Sequence, residues 1–192
     1  MSGQYFTTVI LNDGRDVGLK WLQPDDLELV LQFIDSLDRE QHANVSHDLV
    51  DPKAVRAAMA QLGGANPKML GAFDLDSDHV LSAYAFFRRG AYSSAHRAKV
   101  QTIVHPHYRD LGMGSALMRF LSQTADEMQL MLLQVEIRMD QQELITACKR
   151  LGFELKAILE DFRVDLDGNP YDVIILLKRL KRQGEKEFLY RY

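Results

Sequence analysis

The chain has 192 residues, a net charge of −4 and a single cysteine, Cys148. That length allows one domain with a substantial core, and 46% apolar with 26% charged residues is an ordinary globular composition. A lone cysteine excludes an internal disulfide and fits a reducing compartment, an acidic balance offers nucleic acid no bulk attraction, and no apolar run reaches the roughly 18–20 residues that span a bilayer.

The start, Met1-Ser2-Gly3-Gln4, shows no basic segment followed by an apolar one, so no signal peptide is expected. Two strand-like runs follow, Phe6–Leu11 and Asp16–Leu22, parted by the turn signal Asn12-Asp13-Gly14-Arg15. Pro24 opens a helix with Asp25 and Asp26 in its first turn, and Leu27, Val30, Leu31 and Ile34 recur at helical spacing to Leu37. The segment Arg39–Val50 reads as a loop. Asp51-Pro52 then starts a second helix, with Val55, Met59 and Leu62 on one face and Gly63-Gly64 at its end.

Beyond this point the period shortens to that of strands. Lys68–Phe73 and Val80–Arg88 flank a turn at 74–78, and Ala95–Val104 forms the next strand. Gly112–Gln129 is a helix, Leu130–Ile137 a strand, and Gln142–Leu151 a short helix closed by Gly152. Phe153–Val164 and Tyr171–Leu180 close the chain as a hairpin. The expected order is ββ-α-α-β-β-β-α-β-α-β-β, an α+β (mixed α/β) fold with about four helices around a central twisted mixed sheet. Residues 1–180 form one domain in this reading. The charged tail 181–192 either frays or docks on a second copy as a homodimer.

The chemistry concentrates in Arg109-Asp110-Leu111-Gly112-Met113-Gly114-Ser115, between a buried strand and a long helix. Amides at a helix start are unpaired and the helix dipole favours an anion there. Glycine lets a phosphate approach the backbone closely, and Arg109 adds a cation. Two glycines can also merely shape a strand-to-helix turn. The preceding strand, the arginine and the long following helix all agree with an anion cradle. A dinucleotide fingerprint would need a third glycine where Leu117 stands.

With Arg109, Gly112 and Gly114 in the pattern Arg/Gln-x-x-Gly-x-Gly/Ala after a strand, the sequence resembles the GNAT superfamily of acyl-CoA-dependent N-acetyltransferases. The likeness spans about Asp16 to Leu180 and includes Leu-Gly-Phe at 151–153. Within the superfamily, the early helix and Lys149-Arg150-Leu151-Gly152-Phe153 are similar to the catalytic domain of bacterial protein lysine acetyltransferases. The resemblance implies the acyl-CoA N-acyltransferase fold, with Ala95–Val104 and Leu130–Ile137 as the family's splayed fourth and fifth strands. It implies acetyl-CoA as co-substrate, with no metal. Backbone groups of Asp110, Leu111, Gly112, Met113, Gly114 and Ser115 would hold the pyrophosphate, and Thr102, Ile103 and Val104 would pair with the pantetheine arm. Gln141, where many members carry asparagine, would bond a pantetheine amide. The implied reaction is direct attack by a primary amine on the thioester in a ternary complex. The acceptor is a small molecule, a protein lysine or an N-terminus. A cytoplasmic location, without nucleic acid or membrane partners, goes with this reading.

The departures lie in the catalytic residues. The tyrosine that usually protonates the departing thiolate is replaced by Cys148, which is either a thiol acid or a packed residue. The glutamate that serves lysine-acetylating relatives as base is replaced by Lys99, read as an exposed strand lysine. Glu136, and beyond it Asp140, are the carboxylates left to act through water, or are solvated charges at a strand end. His105 either polarises the site or lies exposed in its loop. Tyr84, Phe87 and Tyr92 are candidate acceptor-wall aromatics or core residues. His42, His47, His105 and His107 lack a convincing metal-ligand spacing. An alternative from another class, a catalytically silent acyl-CoA-binding or regulatory module, follows from the missing acid and base. A helix–loop nucleotide binder is a third.

Overall fold

The computed structural model describes residues 5–43, 45, 47–64, 66–77, 80–165 and 167–180. Met1–Gln4, the tail 181–192, the His47 side chain, and Asp78 and Leu166 in their turns lie outside this description.

Among the described residues eight strands form one sheet in the order β1-β2-β3-β4-β5-β6-β8-β7. They are β1 (Thr7–Ile10), β2 (Asp16–Trp21), β3 (Lys68–Asp74), β4 (Val80–Arg89), β5 (Arg97–Val104), β6 (Leu132–Arg138), β7 (Glu154–Val164) and β8 (Pro170–Arg179). All neighbours run antiparallel except β5 and β6. The expected N-terminal hairpin, central strands and closing hairpin are all present. Counted from the first strand, the splayed pair falls on β5 and β6.

Among the described residues six α-helices flank the sheet: α1 (Leu27–Asp35), α2 (Arg39–Ala43), α3 (His47–Val50), α4 (Pro52–Met59), α5 (Met113–Glu127) and α6 (Gln142–Arg150). Four of them were expected. The short α2 and α3 occupy what the sequence presents as a loop, because Leu49 and Val50 find burial against α1 and α4 that no local pattern announces. Elsewhere local chemistry sets the boundaries. Gln23 and Asp26 form a reciprocal cap before α1, with Asp26 Oδ2 accepting the Gln23 amide at 2.9 Å. Asp51 accepts the Ala54 amide at 2.9 Å at the start of α4, with Pro52 in the first turn.

Alternation along the central strands divides the interior in two. On β4, Ala83, Ala85 and Phe87 join the core under α5 and α6, whereas Tyr84 and Phe86 join the one under α1, α3 and α4. The first core continues across β6 and β8 through Val135, Ile137, Ile174 and Leu176. The second stops at Ile103 on β5. The sheet face beyond it carries Lys99, Gln134, Glu136 and, on β7, Arg163. That uncovered polar half-face positions the site.

Candidate active site

β5 and β6 share only three register pairs, Arg97–Leu132, Ala98–Leu133 and Lys99–Gln134. β5 then runs on to Val104 and β6 to Arg138 without pairing with each other. On its other edge β5 stays paired with β4, Thr102 opposite Ala85, Ile103 opposite Tyr84 and Val104 opposite Ala83. The backbone groups of residues 100–104 that turn toward β6 therefore meet no strand. A gap with strand-edge chemistry opens beside them.

The chain leaves this gap through a 3-10 turn, Pro106–Tyr108, and enters α5 through two left-handed residues, Asp110 (φ 59°) and Gly112 (φ 87°). Gly112 is the N-cap and offers no side chain, so the first intrahelical bond runs from the Ala116 amide to its carbonyl at 3.0 Å. The amides of Met113, Gly114 and Ser115 have no acceptor among the described residues. They converge at the positive end of a 15-residue helix. Gly112 needs its left-handed backbone. Gly114 does not: a Cβ there would stand 3.8 Å from Val104 Cγ2, an ordinary contact. Nothing inside the chain asks for glycine at that position. Arg109 is exposed at the same turn, its Nε 3.4 Å from the Val104 carbonyl oxygen.

The β1–β2 turn braces this loop from behind. The Asn12 amide donates to the Leu111 carbonyl at 3.0 Å, and Arg15 donates to the His107 carbonyl at 3.2 Å while its guanidinium lies 4.4 Å from the Tyr108 ring centroid. Tyr108 in turn donates to Asp74 Oδ2 at 2.6 Å, and Asp74 is wholly buried at the end of β3. Burial and the Asp74 hydrogen bond push the Tyr108 hydroxyl up to about 12, so it keeps its proton and donates. Burial alone would raise the Asp74 carboxyl. The Tyr108 hydroxyl, the Asp76 amide at 2.9 Å and the Arg15 charge outweigh burial and hold the carboxyl below its ordinary range. Sequence reasoning missed this brace. Its members lie 34 and 92 residues apart, and no spacing rule links them.

On the other side of the gap lie the catalytic candidates. Glu136 on β6 is nearly buried, with Oε2 at 2.8 Å from Lys99 Nζ and 2.7 Å from Arg163 Nη2. Burial opposes its charge, yet the Lys99 hydrogen bond and charge, followed by those of Arg163, hold its carboxyl below the usual range. Lys99 is thus not a free surface lysine but half of a cross-strand ion pair at the last shared rung. Asp140 is exposed and paired with Arg138 at 2.8 Å, and Arg138 stacks on Tyr171 at 4.2 Å. Gln141 forms the N-cap of α6 just past the end of β6.

Cys148 lies inside α6 at 5% exposure, in the core with Val135, Ile145 and Phe153. Burial pushes its thiol up to about 11. Tyr84 and Phe87 are core residues and Tyr92 is 97% exposed, so none of the three walls an acceptor site. Tyr84 instead donates to the Leu49 carbonyl, tying β4 to α3. His105 is half-buried against Phe33, and burial, His107 and Arg109 lower its pKa, which favours a neutral ring. Among the described residues no group of three potential ligands could hold a metal ion, and no helix is long and apolar enough to cross a membrane.

Comparison with known proteins points the same way. The profile of the Acetyltransferase (GNAT) family matches residues 32–153. No curated protein matches the sequence significantly. Among solved structures, the chain is similar to the ribosomal-protein-S5-alanine acetyltransferase from Vibrio fischeri (TM-score 0.76, 13% identity, covering 93% of this chain and 98% of that one). It is also similar to the ribosomal-protein-S18-alanine N-acetyltransferase from Escherichia coli (0.69, 18%, 91% and 99%). A third is the GNAT domain of S. lividans PAT (0.71, 19%, 91% and 96%). At these identities the likeness is one of fold.

Proposed function

Because the chain belongs to the GNAT family of acetyltransferases, we propose that residues 5–180 form an N-acetyltransferase that moves the acetyl group of acetyl-CoA to a primary amine. The observation that carries this reading is the pairing of a three-rung β5–β6 ladder with uncapped amides at the start of α5. A pantetheine arm fits the open strand edge at Thr102–Val104 by strand addition. A pyrophosphate fits the amides from Leu111 to Ser115, with Arg109 beside it. Gly114 fits this reading, since a small residue in the first turn leaves the backbone open to a phosphate. Gln141, at the far lip of the gap, is suited to a pantetheine amide. The similar Vibrio and Escherichia proteins are alanine acetyltransferases of ribosomal proteins, which keeps a protein N-terminus among the acceptors.

In the mechanism we propose, the open strand edge and the helix start hold the thioester beside the polar half-face. The neutral amine attacks the thioester carbonyl directly, the C–N bond forms as the C–S bond breaks, and CoA leaves as its thiolate, which takes a proton from water. Glu136 stays ionised throughout the neutral range and receives the ammonium proton through water. Its two cationic partners make it a weak base, so most of the acceleration comes from positioning and from polarisation of the carbonyl. Cys148 packs, because a buried thiol near 11 is held too high to be an effective acid.

The test is calorimetric titration with acetyl-CoA, followed by free-thiol release across a panel of amines and peptide N-termini. Saturable binding with turnover above the uncatalysed rate is expected. Binding without turnover on any acceptor would instead favour the silent acyl-CoA module, which the doubly ion-paired Glu136 and the buried Cys148 also suit. Absence of binding by the folded protein would sink both.

A further inference from the structure

A cavity of about 240 Å3 lies on the acceptor side of the sheet, lined by Ala54 and Ala58 of α4, Phe86 and Arg88 of β4, and Lys99 and Gln101 of β5. Two alanines one helical turn apart leave this space open, since any larger residue at either place would fill it. The floor is apolar through Phe86. The rim carries two cationic heads and one amide.

The placement of those cations costs stability. Arg88 and Lys99 are register partners on adjacent antiparallel strands and share the face that lines the cavity. Like charges directly opposite on neighbouring strands repel. Glu136 answers Lys99 at 2.8 Å, but it is divided with Arg163 at 2.7 Å. Arg88 is exposed and has no hydrogen bond or ion pair among the described residues. In a chain whose net charge is −4, the cavity is lined by two cations, Arg88 and Lys99, and by no carboxylate. No contact within the fold accounts for the unanswered guanidinium. An incoming anion would.

We propose that this cavity receives a carboxylate of the acceptor, so that the amine acetylated belongs to a molecule that also carries a carboxyl group. The proposal rests on the acetyltransferase reading above. Arg88 offers its planar fork to both oxygens, the geometry that guanidinium and carboxylate share. Gln101 adds a donor from the next strand, and Lys99 adds charge while remaining tethered to Glu136. Lys99 also stands at the last shared rung of β5 and β6, so an acceptor anchored at the cavity presents its amine toward the point where the strands part. Apolar contact with Ala54, Ala58 and Phe86 suits a short aliphatic spacer between the two groups. The carboxylate can come from a free amino acid or from an acidic side chain next to a peptide amine.

The experiment compares matched amines that differ only in carrying a carboxylate or a carboxamide. One arm uses short amino acids and a second uses tetrapeptides with Asp or Asn beside the acceptor amine. Both binding to the CoA-saturated protein and acetyl transfer are measured. The carboxylate members are expected to bind and react about tenfold better than their carboxamide partners, the size of one charged hydrogen-bonding contact. Arg88→Gln is expected to collapse that ratio toward one without lowering the melting temperature, because it also relieves the repulsion from Lys99. Arg88→Lys is expected to keep part of the ratio. A preference confined to the first arm identifies a small amino acid, and one confined to the second an acidic peptide. Equal handling of both members in both arms, or a carboxylate preference that survives Arg88→Gln, overturns the proposal and leaves the transferase standing. Tight carboxylate binding with no transfer to any amine would leave the cavity assignment standing and overturn the transferase.

Discussion

The two walls of the β5–β6 gap are built on opposite principles. On the α5 side every charge behind the loop is answered: Asp13 by Arg15, and Asp74 by Tyr108 and Arg15. What is left unanswered there is backbone, the amides of residues 113–115. On the other side the side chains are unbalanced: Arg88 has no ion pair among the described residues, and Glu136 pairs with both Lys99 and Arg163. Unpaired amides suit a ligand whose phosphates never vary. An unbalanced surface can be retuned one side chain at a time. On the proposed reading, the first wall serves the co-substrate and the second the acceptor.

The largest effect that could break this contrast comes from Asp74→Ala. It leaves Tyr108 and Arg15 without their buried acceptor, and it should cost about 2–4 kcal/mol in urea denaturation while weakening acetyl-CoA binding through a loosened loop. Retained stability would mean that the brace does not matter. Gly112→Val comes next. A β-branched residue in a left-handed conformation should cost about 1–2 kcal/mol and at least about tenfold in acetyl-CoA affinity, a loss of some 1.4 kcal/mol. Gly114→Ala sharpens the point, because stability should hold or rise by about 0.4–1 kcal/mol while acetyl-CoA still binds, alanine being the alternative in the loop pattern at this position. A variant that lost stability instead would show that the chain itself needs that glycine.

Acid sensitivity should come from both walls. Asp74 and Glu136 have folded pKa values depressed below their ordinary ones. Their contribution is fully present above the unfolded values near about 4 and is lost as pH falls through the folded ones. Stability should therefore drop on the acid side of about pH 4, and Glu136→Gln should make that drop shallower. An unchanged acid limb would mean that the two ion pairs contribute nothing. The smallest effect belongs to Cys148→Ala, about 1 kcal/mol of lost packing with kcat essentially retained. A collapse of kcat with folding intact would restore the thiol as the acid.

Much of the fold was legible because its signals are local. Strand and helix periods, the Pro24 and Pro52 starts, and the glycine turn before α5 each act within a few residues. At the candidate site the sequence pointed to backbone, at 109–115 and 102–104, and there the structure leaves strand-edge and helix-start groups without a partner in the described chain. Side-chain relations across strands were not legible. The ion pair from Lys99 to Glu136, the cavity under Ala54 and Ala58, and the brace from Arg15 to Tyr108 all depend on register and packing. The short helices α2 and α3 were hidden for the same reason, since Leu49 and Val50 have no amphipathic run of their own.

The three-rung ladder between β5 and β6 has a consequence for how binding can be detected. An arm that pairs with the β5 edge works as a temporary ninth strand, converting solvent-facing amides into protected ones. Amide hydrogen exchange at residues 101–104 should therefore slow on addition of CoA, together with residues 113–115 at the head of α5, while the β7 edge exchanges as before. Occupancy of the gap would be read from the protein's own backbone, with no chemistry required and before any acceptor is known.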